Sequence, residues 1–127
     1  ILRLCLGYDA SLVLIESADV TNAKVIRSSV GALFHVPWIQ VERRVAIELL
    51  KKFNRPIYRL ENVPGAKKFY EKNITKPCII IAGSEGSGIQ LKVAGKSFVI
   101  PHNPKLESLN VGHALAIALF SLYGSAH

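Results

Sequence analysis

Residues 78–88, CIIIAGSEGSG, join a short aliphatic run to a glycine-rich stretch. An apolar run of this length is typical of a buried strand, and ligands of open α/β sheets bind just after such strands. The glycines follow the spacing G-x-x-G-x-G, which is not the dinucleotide-binding fingerprint, and no Lys-Ser or Lys-Thr follows as a P-loop requires. The stretch therefore predicts either a ligand loop or a tight structural turn, and it disfavours a nucleotide triphosphatase.

Other segments of the chain alternate between strand and helix patterns. Aliphatic runs of strand length also occur at residues 12–15, 57–60 and 98–100. Helical spacing of apolar residues covers residues 40–53, more weakly residues around 66–71, and strongly residues 111–123. Continuous apolar strands that alternate with helices predict an α/β domain with a parallel sheet flanked by helices.

Positive charge is concentrated in the middle of the chain. The 127 residues include 16 Lys and Arg and nine Asp and Glu, for a net charge of +7. Residues 41–76 hold ten basic and four acidic residues, which accounts for +6 of that total. The helix predicted over residues 40–53 places its apolar stripe at Val41, Val45, Leu49 and Phe53, widened by Ala46 and Leu50. Its basic residues lie off this stripe, on either an ordinary solvated face or a face for a polyanion such as RNA.

Several classes of protein are disfavoured by the sequence. Cys5 and Cys78 lie in apolar runs and form no CxxC, so we expect neither a disulfide framework nor a zinc ribbon. We expect the protein to occupy a reducing compartment. The four histidines show no metal-binding spacing, and the G-x-S-x-G of a nucleophile elbow is absent. The longest apolar stretch is shorter than the ~20 residues of a membrane helix, and no signal peptide is visible.

Polar residues also mark the two ends of the chain. Ser108 and Asn110 precede the last predicted helix, and either side chain can cap it. Capping accounts for one polar residue but not for the pair around Leu109. Arg3 lies in an apolar helical stretch that ends at Gly7, where an arginine usually extends to the surface.

Taken in order, these segments resemble the SpoU (TrmH-like) family of RNA ribose 2′-O-methyltransferases, in the SPOUT superfamily. Residues 1–3, ILR, resemble the end of the family's first motif, N-x-G-x-x-x-R, and residues 24–37 resemble the segment that follows it. Residues 81–89 resemble the second motif, and residues 100–101 with 108–111 resemble the third. The resemblance covers nearly the whole chain.

This resemblance implies a parallel sheet flanked by helices with a C-terminal deep trefoil knot. It implies one domain over residues 1–127, with the first strand of that domain lying upstream. The implied activity is transfer of a methyl group from S-adenosylmethionine to a ribose 2′-hydroxyl of tRNA or rRNA. The implied protein is a homodimer through its C-terminal helix, binds no membrane, and is cytoplasmic, with an organelle as the alternative. A non-catalytic knotted module that binds RNA or assists ribosome assembly is the alternative function.

The resemblance also assigns roles to individual residues. The catalytic site is assigned to Arg3, Glu85, Ser108 and Asn110. The cofactor is assigned to main-chain groups at Leu60, Gly83, Ile100 and Leu109, and no metal is implied. RNA is assigned to Arg27, Arg43, Arg44, Lys51 and Lys52. Because a guanidinium stays protonated in proteins, we expect Arg3 to hold a phosphate and stabilise a developing alkoxide rather than accept a proton.

Overall fold

The computed structural model describes residues 2–15, 37–70, 73–83, 88–106 and 109–126. In chain order, the elements are α1 (Leu2–Gly7), β1 (Leu12–Ile15), β2 (Trp38–Val41), α2 (Arg43–Phe53), β3 (Ile57–Leu60), β4 (Lys67–Lys68), β5 (Ile79–Ala82), β6 (Lys96–Val99) and α3 (Val111–Ala126). The chain divides into two compact units, Ile1–Leu49 and Leu50–His127, and helix α2 contains the division. All strand pairs in the described residues are parallel.

The first unit contains a two-stranded parallel sheet. Strand β1 pairs with β2 from Leu12 opposite Trp38 to Ile15 opposite Val41. Helix α1 ends at Gly7, as predicted, and the N–H of Ala10 donates to the carbonyl of Cys5 at 2.9 Å in the turn that follows. The chain therefore reverses within a few residues of the helix and enters β1.

Strand β2 corrects the predicted start of the second helix. Residues 40 and 41, predicted as helical, belong to β2. The carbonyl of Glu42 accepts the first helical hydrogen bonds, from the N–H of Ala46 at 3.0 Å and of Val45 at 3.1 Å. The aromatic and β-branched residues of β2 suit a strand, and pairing with β1 satisfies their backbone groups. The helix therefore begins only at Arg43.

The second unit contains a four-stranded parallel sheet in the order β4-β6-β3-β5. Its buried core is formed by Tyr58, Phe69, Ile74, Phe98, Ile100, Ala118 and Leu122. Phe98 is 2% exposed and receives the rings of Tyr58 and Phe69 edge-on, with centroids 5.6 and 6.0 Å away. Helix α3 thus covers the sheet through Ala118 and Leu122, one on each of two successive turns.

The strand predictions hold for β1 and β3, and two others are shifted along the chain. The strand predicted at residues 78–81 is β5, which begins and ends one residue later than predicted. The strand predicted at residues 98–100 is β6, which begins two residues earlier than predicted and ends at Val99. The weak helix predicted around residues 66–71 is wrong, because Lys67 and Lys68 form β4 beside β6. The N–H of Phe69 donates to the carbonyl of Val99 at 2.9 Å, which continues this pairing and places the Phe69 ring in the core.

The helix pattern over residues 40–53 also predicts the buried positions only in part. Ala46 and Leu50 are buried, whereas Val45 and Phe53 of the predicted stripe are exposed. The buried face is therefore centred on Ala46 and Leu50, one turn apart. Among the described residues, no helix is long and apolar enough to cross a membrane.

Candidate functional site

The carboxyl ends of three adjacent strands bring Leu60, Gly83 and Ile100 to one edge of the four-stranded sheet. Strand β3 lies between β5 and β6, and its last residue, Leu60, is in register with Ala82 of β5 and Phe98 of β6. Gly83 directly follows β5, and Ile100 directly follows β6. Because parallel strands end at the same edge, the structure brings together three of the four predicted cofactor residues.

Leu109 and Asn110 stand at the start of helix α3. The Oδ1 atom of Asn110 accepts the N–H of Gly112 at 2.9 Å and the N–H of His113 at 3.3 Å, so Asn110 caps the helix. The predicted capping interaction is therefore confirmed for Asn110. Leu109 packs against the core cluster of the second unit, which anchors the residue beside the cap.

Gly83 lies directly against the main chain of Gly88 and Ile89. A Cβ atom at residue 83 would overlap the carbonyl group of Gly88 and the nitrogen of Ile89, at distances that real Cβ atoms do not show. Gly88 has a φ of +69°, in the left-handed region that glycine adopts most readily. The close approach therefore requires glycine at position 83, and the backbone conformation favours glycine at position 88.

A partly buried ion pair, which no sequence pattern predicted, lies beside this edge. The Nε atom of Arg59 donates to Oε2 of Glu61 at 2.8 Å, and these side chains are only 15% and 17% exposed. The hydroxyl of Ser97 donates to the same carboxylate. The hydrogen bond from Arg59 lowers the pKa of Glu61. The available sequence signal was R-x-E at the end of a strand, since alternate residues of an extended chain share one face.

Arg59 also binds the chain that returns from the glycine-rich stretch. Its Nη1 atom donates to the carbonyl oxygens of Leu91 and Val93, at 2.8 and 3.0 Å. Leu91 is itself buried. The side chains of Arg59, Glu61 and Ser97 are hereafter called the Arg59 cluster.

A depression of about 540 Å³ opens next to Ile100. It is lined by Asn62, Lys68, Val99, Ile100, Pro101, His102, Pro104 and Leu106. The ring nitrogens of His102 lie 2.6 Å from the carbonyl oxygen of Ile100 and 3.1 Å from that of Leu106, so this ring bridges the loop after β6. The depression thus adjoins one of the predicted cofactor residues.

The other predicted catalytic residues lie in the first unit or outside the described residues. Glu85 and Ser108 lie outside the described residues, as does Arg27 of the predicted RNA-binding set. The backbone of Arg3 belongs to helix α1, in the first unit. Of the predicted catalytic set, Asn110 is therefore the residue whose contacts are defined.

The basic residues predicted on helix α2 are exposed. Arg43, Arg44, Lys51 and Lys52 all present their side chains to solvent. Arg44 pairs with Glu42 through an Nε–Oε2 contact of 3.1 Å, in which the side chains are 85% and 68% exposed. Such an exposed pair contributes little to stability.

The cysteines and acidic residues offer no alternative chemistry in the described part of the chain. Cys5 and Cys78 are free thiols, and burial raises the pKa of both. A raised pKa disfavours the thiolate, which is the nucleophilic and metal-binding form. No group of three His, Cys, Asp or Glu side chains lies close enough to hold a metal ion in the described ranges.

A sequence profile of the SpoU rRNA Methylase family matches residues 1–120. The chain belongs to this family. It is 32% identical over 119 residues to an uncharacterized tRNA/rRNA methyltransferase of Synechocystis sp., covering 90% of this chain and 43% of that protein. It is 30% identical over 121 residues to the 23S rRNA (guanosine(2553)-2′-O)-methyltransferase RlmP of Bacillus subtilis, covering 93% of this chain and 48% of that enzyme. The chain therefore spans about half the length of these SpoU relatives.

Solved structures of methyltransferases share the fold. An AdoMet-bound rRNA methyltransferase from Sinorhizobium meliloti superposes with a TM-score of 0.85 at 20% identity, covering 99% of this chain and 50% of that one. The SpoU methyltransferase AviRb from Streptomyces viridochromogenes, in complex with AdoMet, gives 0.78 at 21% identity, covering 99% and 54%. The predicted SpoU membership and parallel sheet with flanking helices are confirmed, and the trefoil knot stays a prediction.

Proposed function

We propose that this SpoU domain transfers the methyl group of S-adenosylmethionine to a ribose 2′-hydroxyl of tRNA or rRNA. The observation that carries the proposal is the convergence of Leu60, Gly83 and Ile100 at one carboxyl edge of the sheet. Two relatives are named as 2′-O-methyltransferases of 23S rRNA, one from Bacillus subtilis and one, 31% identical over 117 residues, from Streptomyces laurentii. Two structural neighbours hold AdoMet.

The residues at this edge fit a cofactor held largely by main-chain groups. The side chain of Ile100 is buried in the core, and those of Leu60 and Leu109 pack against it, which favours contact with a ligand through their main-chain groups. Strand ends and the Gly83 turn offer N–H and C=O groups that can read an adenine edge. When bound, S-adenosylmethionine supplies an electrophilic methyl group on a sulfonium.

The protein's own task is to orient and activate the ribose hydroxyl. A 2′-hydroxyl is a poor nucleophile at neutral pH, so the site must fix its approach and help to remove its proton. We assign this task to Arg3, Glu85, Ser108 and Asn110. Arg3 holds the adjacent phosphate and stabilises the developing alkoxide, and Glu85 orients Arg3 or Asn110. The cap at α3 fixes where Asn110 stands.

Substrate binding and assembly complete the proposal. Exposed basic residues of α2, with Arg27, bind the RNA backbone. Helix α3 buries Ala118 and Leu122 but exposes Ile117 and Phe120, and this apolar face is proposed to pack against a second copy of the chain. The C-terminal segment is proposed to thread a trefoil knot, as the family resemblance implies.

Methyl transfer is tested with full-length protein, radiolabelled S-adenosylmethionine and total RNA, followed by nuclease digestion and analysis of 2′-O-methyl nucleotides. The proposal expects labelled 2′-O-methyl nucleotides with wild type, and loss of labelling with Arg3→Ala and with Asn110→Ala. Asn110→Asp is the matched variant, because its carboxylate keeps the cap acceptor while the side-chain amide is lost. Full activity in Asn110→Asp would limit Asn110 to capping.

The same experiment separates the alternative function. If full-length protein leaves no 2′-O-methyl nucleotide in RNA, the enzymatic proposal is wrong. Binding of RNA without binding of S-adenosylmethionine in a calorimetric titration would instead favour the non-catalytic RNA-binding module.

A further inference from the structure

The Arg59 cluster places an ion pair on and directly after the central strand β3, where apolar side chains are more usual. Strand β3 has neighbours on both sides, and an apolar residue at position 59 would avoid the desolvation of a partly buried charge. An ion pair removed from solvent does not by itself indicate a gain in stability, because a protein with apolar residues in its place is often as stable. We therefore explain the cluster by the segments of the chain that it holds in place.

Each group of the cluster holds a segment that leads to a predicted cofactor residue. Arg59 lies on β3 and Glu61 directly follows this strand, so the two residues flank Leu60. Their side chains share the face opposite that of Leu60. Ser97 is the cross-strand partner of Arg59 and lies three residues before Ile100. The cluster thus ties the end of β3 to the end of β6.

The third attachment is to the glycine-rich stretch. Leu91 and Val93, whose carbonyls accept from Arg59, lie shortly after Gly88, and Gly88 is in contact range of Gly83. One guanidinium therefore fixes the returning chain of this stretch against the strand that carries Leu60. Main-chain recognition of a ligand requires this kind of fixed spacing, since a binding site must be held within about 0.5 Å of its productive geometry.

The Arg44–Glu42 pair shows that spacing in sequence does not create such a cluster. Both pairs are two residues apart, but the contact in the Arg44 pair is 3.1 Å and the side chains are largely solvated. The Arg59 pair is partly buried and adds two main-chain carbonyls and a hydroxyl on other segments. Only the partly buried pair can set the distance between segments.

We propose that Arg59 is a positioning residue for S-adenosylmethionine. It does not touch the cofactor. Its donors hold the chain at Leu91 and Val93 against β3, and they also hold the Glu61 carboxylate that Ser97 of β6 binds. This inference rests on the proposed function, because it requires that these segments bind the cofactor. A lysine cannot reproduce it, since an ammonium lacks the planar fork that reaches a carboxylate and two carbonyls at once.

The test measures S-adenosylmethionine binding by calorimetry, and steady-state methylation of RNA, in full-length protein carrying Arg59→Lys. We expect Kd and KM for S-adenosylmethionine to rise about tenfold or more, with kcat at saturating cofactor within about twofold of wild type. KM for RNA should not change. Arg55→Lys, the same substitution at an exposed position four residues earlier, is the matched control and should leave both constants unchanged.

The outcomes separate this inference from the proposed function. If wild type does not bind S-adenosylmethionine, the proposed function fails. If wild type binds and Arg59→Lys binds within about twofold while only its thermal midpoint falls, Arg59 is merely structural and the inference is wrong. If Arg59→Lys does not fold, Ser97→Ala and Glu61→Gln decide: a Kd raised about threefold or more supports the inference, and an unchanged Kd overturns it.

Discussion

At the scale of single residues, Gly83 is defined by what its missing side chain would meet. The atoms that a Cβ would overlap belong to the main chain of Gly88 and Ile89, not to the movable end of a side chain. Main-chain atoms cannot rotate away, so relief would require opening the turn. The same turn separates β5 from the chain that Arg59 holds, so a change here reaches the proposed cofactor site.

Gly83→Ala should destabilise the protein by about 1–3 kcal/mol, because it overpacks a closed turn. It should also weaken binding of S-adenosylmethionine. Urea unfolding followed by circular dichroism, with calorimetry for the cofactor, measures both effects. Gly7→Ala is the control, because Gly7 has nothing within 4 Å of the added Cβ, and we expect its stability to stay within about 1 kcal/mol of wild type. Equal stability of Gly83→Ala and wild type would contradict the clash.

At the scale of elements, helix α2 combines a narrow buried face with a basic exposed one. Ala46 and Leu50 are its buried positions, and Lys51 and Lys52 lie in its last turn with exposed side chains. Cations near a helix C-terminus are favoured by the helix dipole, so these lysines have a local role without RNA. The dependence of RNA affinity on salt distinguishes phosphate contacts from this local role.

Lys51→Gln and Lys52→Gln, made separately, should each weaken RNA binding at low salt. If the lysine contacts a phosphate, the slope of log K against log salt concentration should fall in magnitude by about 0.7–0.9. Fluorescence anisotropy with a labelled rRNA fragment over a salt series measures this slope. Lys96→Gln is the control, since Lys96 begins β6 at the edge opposite Ile100. A slope unchanged in both α2 variants would assign these lysines to an ordinary solvated face.

At the scale of the whole molecule, the unexplained surface is the outer face of helix α3. Phe120 is 65% exposed, while Ala118 and Leu122 on the same helix are buried in the second unit. Burial within one subunit therefore accounts for only part of the apolar surface of helix α3. A second copy would bury the same face on both subunits, as a twofold dimer requires.

Phe120→Glu should convert a dimer to a monomer, because it places a charge at the centre of the apolar face. Light scattering coupled to gel filtration, on full-length protein at micromolar concentrations, gives the mass directly. Phe53→Glu is the matched control, since Phe53 is an exposed phenylalanine on α2 that the dimer proposal does not use. A monomeric wild type, or a dimeric Phe120→Glu, would contradict the proposed interface.

Local sequence patterns predicted most of the helices and strands. They failed where a segment forms a strand only because it pairs with another strand. Strands β1 and β3 and the start of α3 were predicted correctly, because an apolar run or an apolar helical period is visible in the sequence. Strands β2 and β4 were missed. Their residues become strands because β1 and β6 lie beside them and satisfy their backbone groups, which no local pattern records.

The residues of the candidate site also divide into those that the sequence indicated and those that only the structure revealed. The order of the motifs in the sequence carried the SpoU resemblance, and that resemblance implied the cofactor and assigned Leu60, Gly83 and Ile100 to it. Tertiary structure decided that Gly83 must be glycine and that Arg59, a break in an apolar run, joins β3 to the chain at Leu91 and Val93. The physical reason is distance along the chain: Arg59 and the carbonyls of Leu91 and Val93 are more than thirty residues apart, and only the folded sheet brings them within hydrogen-bond range.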